Sequence, residues 1–271
     1  MSTKTYQTTK YFLTGTELPK ETRTYKPVSH GQLIDLTLES IHQAGFILDT
    51  ESYASAKDGQ IANGRFSISN VADKEMQLQI GWQNSYNKSL TLKFAIGTRI
   101  FICQNGCVSG DYGAFKKKHQ GDVQEFTPAK IVEYIKSAGD AFMKLQKERE
   151  LLKTIEVDKR ITAELVGRMI LEKEFIQSTQ LNIIERELKH ATFDYGAPGS
   201  LWELYQFTTY AMKEVHPSLW MDNHIGAHDF FVNAHGELKN RLIQVEFEKS
   251  LPEKRQLTIF DQLAETATIV E

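Results

Sequence analysis

At 271 residues, 41% hydrophobic and 25% charged, with a net charge of −3, the chain has the make-up of a globular protein that can bury one sizeable core. No run approaches the roughly 18 apolar residues of a membrane span, and the start MSTKTYQTTK lacks the apolar region of a signal peptide, so a cytoplasmic protein with no membrane partner is expected. Cys103 and Cys107 are then read as reduced thiols rather than a disulfide.

Residues 1–28 are polar and threonine-rich and read as an N-terminal arm. Ser29 can cap a helix whose apolar positions Leu33, Ile34, Leu36, Leu38 and Ile41 recur at helical spacing, with Gly45 closing it. Phe46 to Ala56, Gln60 to Val71 and Glu75 to Asn84 read as strands, because Phe66, Ile68, Met76, Leu78 and Ile80 alternate with polar residues. Leu90 to Cys103 is the most apolar stretch and predicts a central strand, stopped by the turn signal Asn105-Gly106. Residues 29–126 are therefore expected to hold a helix and an antiparallel sheet of about four strands.

Thr127-Pro128 opens a helical half, 127–242, that packs on this sheet. Its first helix runs on through a charged stretch to Val157, and further helices are predicted over Thr162 to Glu174 and Ser178 to Lys189. Ser200 caps a helix carrying Trp202, Tyr205 and Tyr210. Residues 243–271 read as a linker and a C-terminal peptide. The fold class is α+β.

Charge is unevenly spread. Lys57 to Lys118 holds nine basic residues against four acids, whereas 131–271 holds 17 against 23, so the sheet half is basic and the helical half acidic. Basic residues interleaved with aromatics suit a single-stranded nucleic acid, whose phosphates need cations and whose bases need stacking surfaces. The expected set is Arg65, Trp82, Lys88, Lys93, Arg99, Tyr112, Lys116, Lys117 and Lys118, with Tyr86 and Phe115 as further stackers and Phe94 and Phe101 as core. Such binding needs no cofactor, and short grooves favour homo-oligomers.

Enzymatic and metal chemistry find less support. Cys103, Cys107 and His119 lack the fourth ligand of a closed zinc site. His224 and His228 have a metal-like spacing that packed histidines on an aromatic helix explain equally, and with no HExxH glutamate no metal is expected. The glycine-rich Gly106 to Gly113 lacks the Gly-Lys-Ser/Thr ending of a phosphate loop. No nucleophile, base and orienter can be assembled by spacing, so no enzyme is expected. The alternative is a non-enzymatic interaction or inhibitor protein that turns its acidic helical half towards a host protein.

The run from Arg99 through Cys103 to Asn105-Gly106, followed by a basic segment ending at His119, resembles a marker of the DUF932 family. The later Leu201-Trp202 to Thr209-Tyr210 is similar to that family's second marker, and the resemblance spans about Ser29 to Val232. It implies a phage- or plasmid-encoded protein, related by extension to single-strand annealing proteins of replication or recombination. At the C-terminus, Gln256-Leu257-Thr258-Ile259-Phe260 resembles the peptide that docks on the bacterial sliding clamp. Gln256, Leu257, Ile259 and Phe260 would be its contacts, while the same residues also fit a short helix packed on the domain.

Overall fold

The computed structural model describes residues 6–101, 106–108, 115–118 and 131–250. Two compact units divide the chain, Met1–His235 and Gly236–Glu271; the described part of the second is helical.

The first unit is built on an antiparallel sheet. Its strands are β1 (Gln7–Thr8), β2 (Leu48–Ala56), β3 (Ile61–Ala72), β4 (Met76–Ser85), β5 (Leu92–Ile100), β6 (Gly106–Val108) and β7 (Phe115–Lys117). The order is β1-β2-β3-β4-β5-β6, with β7 also paired to β5. The four long strands β2 to β5 form the meander predicted by the alternation, and the short strands extend it at both edges. The helices are α1 (Lys10–Gly15), α2 (His30–Gln43), α3 (Ala138–Lys153), α4 (Lys159–Leu171), α5 (Ser178–Lys189), α6 (Leu201–Ala211) and α7 (Trp220–Ser250), so the C-terminal half is helical and the fold is α+β. Residues 131–136 add a helical stretch before α3.

Local chemistry fixes the boundaries. Ser29, Asp158 and Ser200 each place a side-chain oxygen on a backbone N–H of the helix they precede, which satisfies a donor the helix leaves unpaired. Gly45 ends α2 at φ +77°, a left-handed conformation that costs glycine little. The N-terminal stretch is not a free arm. Leu13, Tyr25 and Val28 are buried, and the Tyr25 hydroxyl donates to the Tyr86 carbonyl at 2.9 Å. A few apolar anchors in a polar segment are enough to dock it.

Period-two alternation gives the sheet two unlike faces. One carries Phe66, Ile68, Leu78, Ile80, Trp82, Phe94 and Ile96, all fully buried. α2 closes its Trp82 end, where His30 lies stacked between Tyr86 (3.9 Å between ring centres) and Trp82 (6.1 Å). α3 and the stretch before it pack against β4 and β5, with the Ile96 N–H donating to the Tyr134 hydroxyl. The opposite face is polar: Asn63, Arg65 and Ser67 on β3, Gln77, Gln79 and Gln83 on β4, Lys93 and Arg99 on β5.

Candidate nucleic-acid interface

One end of the polar face is roofed. Asn63 and Gln83 donate through their side-chain amides to the Pro217 carbonyl, both at 3.1 Å, and Gln83 also reaches the Ser218 carbonyl at 2.9 Å. Trp220 then lies over the small residues at the centre. A Cβ on Gly81 would sit 3.3 Å from its ring, and Ala95 forms an apolar cluster with Trp220, Met221 and Ile225. Lys93 completes the seal through an ion pair with Asp222 at 2.5 Å.

Beyond Trp220 the face opens into a groove of about 520 Å³. Its floor is Ser67 and Gln79, its sheet-side walls include Thr50, Ser52, Arg65 and Arg99, and its far wall runs from Thr209 through Lys213 to Trp220 and His224. Its lining holds the cations Arg65, Arg99 and Lys213 together with the acids Glu51 and Glu214. Arg99 is anchored, with Nη1 donating to Thr50 Oγ1 at 3.2 Å and Gln77 Oε1 at 3.3 Å, and Asp49 3.6 Å away. Lys213 sets its ammonium 4.6 Å from the Tyr210 ring centre.

Arg65 is different. Its guanidinium lies 5.2 Å from the Trp220 ring centre, and among the described residues it makes no ion pair and no hydrogen bond. Its Nε is shielded from solvent without a partner. Burial pushes its pKa below the usual arginine value, because desolvation penalises the charged form. An uncompensated cation at the wall of an open groove is an arrangement that an incoming anion would complete.

The sequence-predicted residues divide by face. Arg65, Lys93 and Arg99 share the polar face, but Lys93 is committed to Asp222 and only the two arginines line the groove. Trp82 must be reassigned from stacker to core. It is the cross-strand partner of Gly64, 0% exposed, with its ring where a Gly64 Cβ would stand 2.7 Å away. Tyr86 is likewise buried against His30, whereas Phe101, expected in the core, is 42% exposed. Lys88 sits in the β4–β5 turn with its ammonium 4.7 Å from the Tyr25 ring centre, remote from the groove lining. Lys116 and Lys117 lie in β7, where Lys116 pairs in register with Lys93, and Lys118 is exposed. Tyr112, Asn105, Cys103 and the peptide Gln256, Leu257, Ile259 and Phe260 lie outside the described residues. Cys107 is in β6.

Sequence reasoning misses Lys213, Trp220, Gln79 and the groove role of His224. The polar alternation Gln77-x-Gln79-x-Gly81-x-Gln83 against Asn63-x-Arg65-x-Ser67 is the available signal for the face; nothing local points to Trp220. The two histidines of α7 part company. His224 packs its ring 5.4 Å from Trp220 at the groove. His228 is buried, 3.1 Å from Glu148 and 3.2 Å from the Tyr205 hydroxyl. Among the described residues no cluster of three or more His, Cys, Asp and Glu could hold a metal ion, and no helix is long and apolar enough to cross a membrane.

A family model described as a domain of unknown function, DUF932, matches residues 19–230. No curated protein and no solved structure matches the chain.

Proposed function

This chain belongs to the DUF932 family, and we propose that it binds single-stranded nucleic acid through the groove on the polar face of its sheet. The observation that carries the reading is Arg65, a guanidinium whose shielded Nε has no hydrogen-bond partner, at the wall of an open groove that also holds Arg99 and Lys213. Phosphates are the anions that such forks match best, and a groove about 520 Å³ in volume suits a flexible single strand better than a rigid duplex. The finer reading is strand annealing in the replication or recombination of a phage or plasmid, with the sliding clamp as a partner and the chain as a homo-oligomer. In annealing the protein grips phosphates and leaves base edges to pair, so no cofactor enters.

The test is a salt titration of single-strand binding by fluorescence anisotropy. The logarithm of the binding constant should fall linearly with that of salt, and the slope should shrink by about 0.7 for each phosphate that Arg65→Met or Arg99→Met leaves without its cation. Absence of binding at low salt removes the reading and leaves the protein-interaction alternative.

A further inference from the structure

The apolar stripe of α7 continues beyond its buried part. Ala227, Phe231, Ala234 and Leu238, spaced 4, 3 and 4 residues apart, are 0, 0, 1 and 5% exposed. Leu242 and Val245 keep the spacing but are 53 and 46% exposed, with Ile243 at 55% beside them. By then α7 has passed from the first unit into the second, at His235–Gly236. Elsewhere among the described residues the exposed large apolar side chains stand singly or in adjacent pairs. Three within one helical turn form a patch of the kind that partners cover.

We infer that this face docks on the same face of a second copy of the chain, the two helices running antiparallel. Alternating steps of 4 and 3 residues make the seam of paired helices, and Leu238, Leu242 and Val245 stand at seam positions. The flanking charges select the occupant. Lys239 and Arg241 precede the middle of the tail, and Glu246 and Glu248 follow it. Running one tail backwards along another brings the early part of each to the late part of its partner. Lys239 then meets the partner's Glu246, and Arg241 the partner's Glu248, each twice over because a two-fold contact repeats itself. A parallel pair would match Arg241 with the partner's Glu246 alone and set Lys249 against its own copy in the seam. The surface is small: residues 236–250 rise roughly 22 Å along the helix, which places the contact in the weak, reversible class. It supplies an interface for the homo-oligomer proposed above and is independent of what the groove binds.

The experiment is sedimentation equilibrium on the full chain and three variants of it. The native chain should show a reversible monomer–dimer equilibrium with a Kd on the order of 10–100 µM. Leu242→Glu combined with Val245→Glu should leave a monomer. Lys239→Glu should weaken the dimer about tenfold, because two attractive contacts become repulsive, and adding Glu246→Lys to it should restore the native Kd. A native chain that stays monomeric up to about 1 mM overturns the inference, and so does a dimer that the Leu242→Glu, Val245→Glu variant leaves intact. A monomeric native chain whose Tm falls by several degrees in that variant assigns the face to the chain's own packing. Failure of the Lys239→Glu, Glu246→Lys exchange to restore association overturns the antiparallel pairing. Should the double glutamate variant fold poorly, the exchange at the exposed Lys239 still decides. Single-strand binding measured on the same preparations tests the groove separately, and its absence leaves the dimer standing.

Discussion

Replacing Arg65 by methionine should make the free protein more stable while weakening its binding. In the unliganded fold Arg65 is half-buried, its Nε is shielded without an acceptor, and burial lowers its pKa. A buried donor left without a partner costs about 1–3 kcal/mol. Against this stands the contact with Trp220, at 5.2 Å from the ring centre, which returns about 0.5–2 kcal/mol. Methionine has a straight apolar chain that can lie on the same ring and recover about 0.3–1.5 kcal/mol through sulfur–aromatic contact. The balance favours Arg65→Met by about 1–2 kcal/mol, a rise in Tm of roughly 2–8 °C for a chain of this size. Urea unfolding checks it, with a higher midpoint at an unchanged m-value. The same preparation should show a salt slope smaller by about 0.7 in single-strand binding. A variant less stable than the native chain by more than about 1 kcal/mol would refute the reasoning, because Arg65 would then be a structural clamp on Trp220 rather than an unfilled binding group.

Gly64→Ala should destabilise the fold by about 1–2 kcal/mol: overpacking costs about 1–3 kcal/mol, the new Cβ would stand 2.7 Å from the buried Trp82 ring, and the entropic gain of losing a glycine returns about 0.4–1 kcal/mol; a raised Tm would contradict this. Asp73 gives an acid-side test. Burial pushes its carboxyl up, but hydrogen bonds from Gln146, the Met76 and Glu75 amides and Arg149 pull it further down, to a net value below 3.8. Its stabilisation is therefore fully present above pH 3.8 and lost as pH falls through the depressed value, so urea midpoints of Asp73→Asn and the native chain should differ at neutral pH and converge below it. Lys93→Met should leave the salt slope of binding unchanged, since this ammonium already serves Asp222; a reduced slope would return Lys93 to the interface. The paired substitution Leu257→Ala and Phe260→Ala in the full chain should abolish binding to a purified sliding clamp while sparing single-strand binding, and a Tm lower by several degrees would instead assign those residues to the core.

Where the code is local, the sequence is legible. Ser29 and Gly45 bracket α2 because a cap and a left-handed glycine act within one turn. β2 to β4 follow the alternation, and Ser178 to Lys189 is the observed α5. Apolar spacing alone starts the preceding helix too late, at Thr162, since the cap is Asp158 and α4 runs Lys159–Leu171. The site is only half legible, because counting basic residues along a segment ignores which face each occupies. Such a count groups Arg65 with Trp82, but Trp82 pairs with Gly64, one residue before Arg65, and so points to the other side of the sheet. The groove's far wall depends on Pro217 and Trp220 returning to strands β3 to β5, a long-range contact that no local spacing encodes.

The rest of the same face distinguishes a ligand site at Arg65 from an imperfectly packed corner. At the roofed end each polar side chain that could have been stranded is tied to the roof: Asn63 and Gln83 to the Pro217 carbonyl, Lys93 to Asp222. Towards the open end, Gln79 donates to Ser67, and Arg99 is held by Thr50 and Gln77. Some neutral buried atoms do lack partners, Gln83 Oε1 and Trp82 Nε1 among them, and each costs about 1–3 kcal/mol at most. Among the described residues with such atoms Arg65 alone carries a permanent charge, and burying an ion without compensation is costlier than burying an amide. A fold that supplies acceptors for neutral amides on either side of this cation, and none for the cation itself, sacrifices stability at one position. That position lies in the groove wall, and a bound phosphate would recover the loss there.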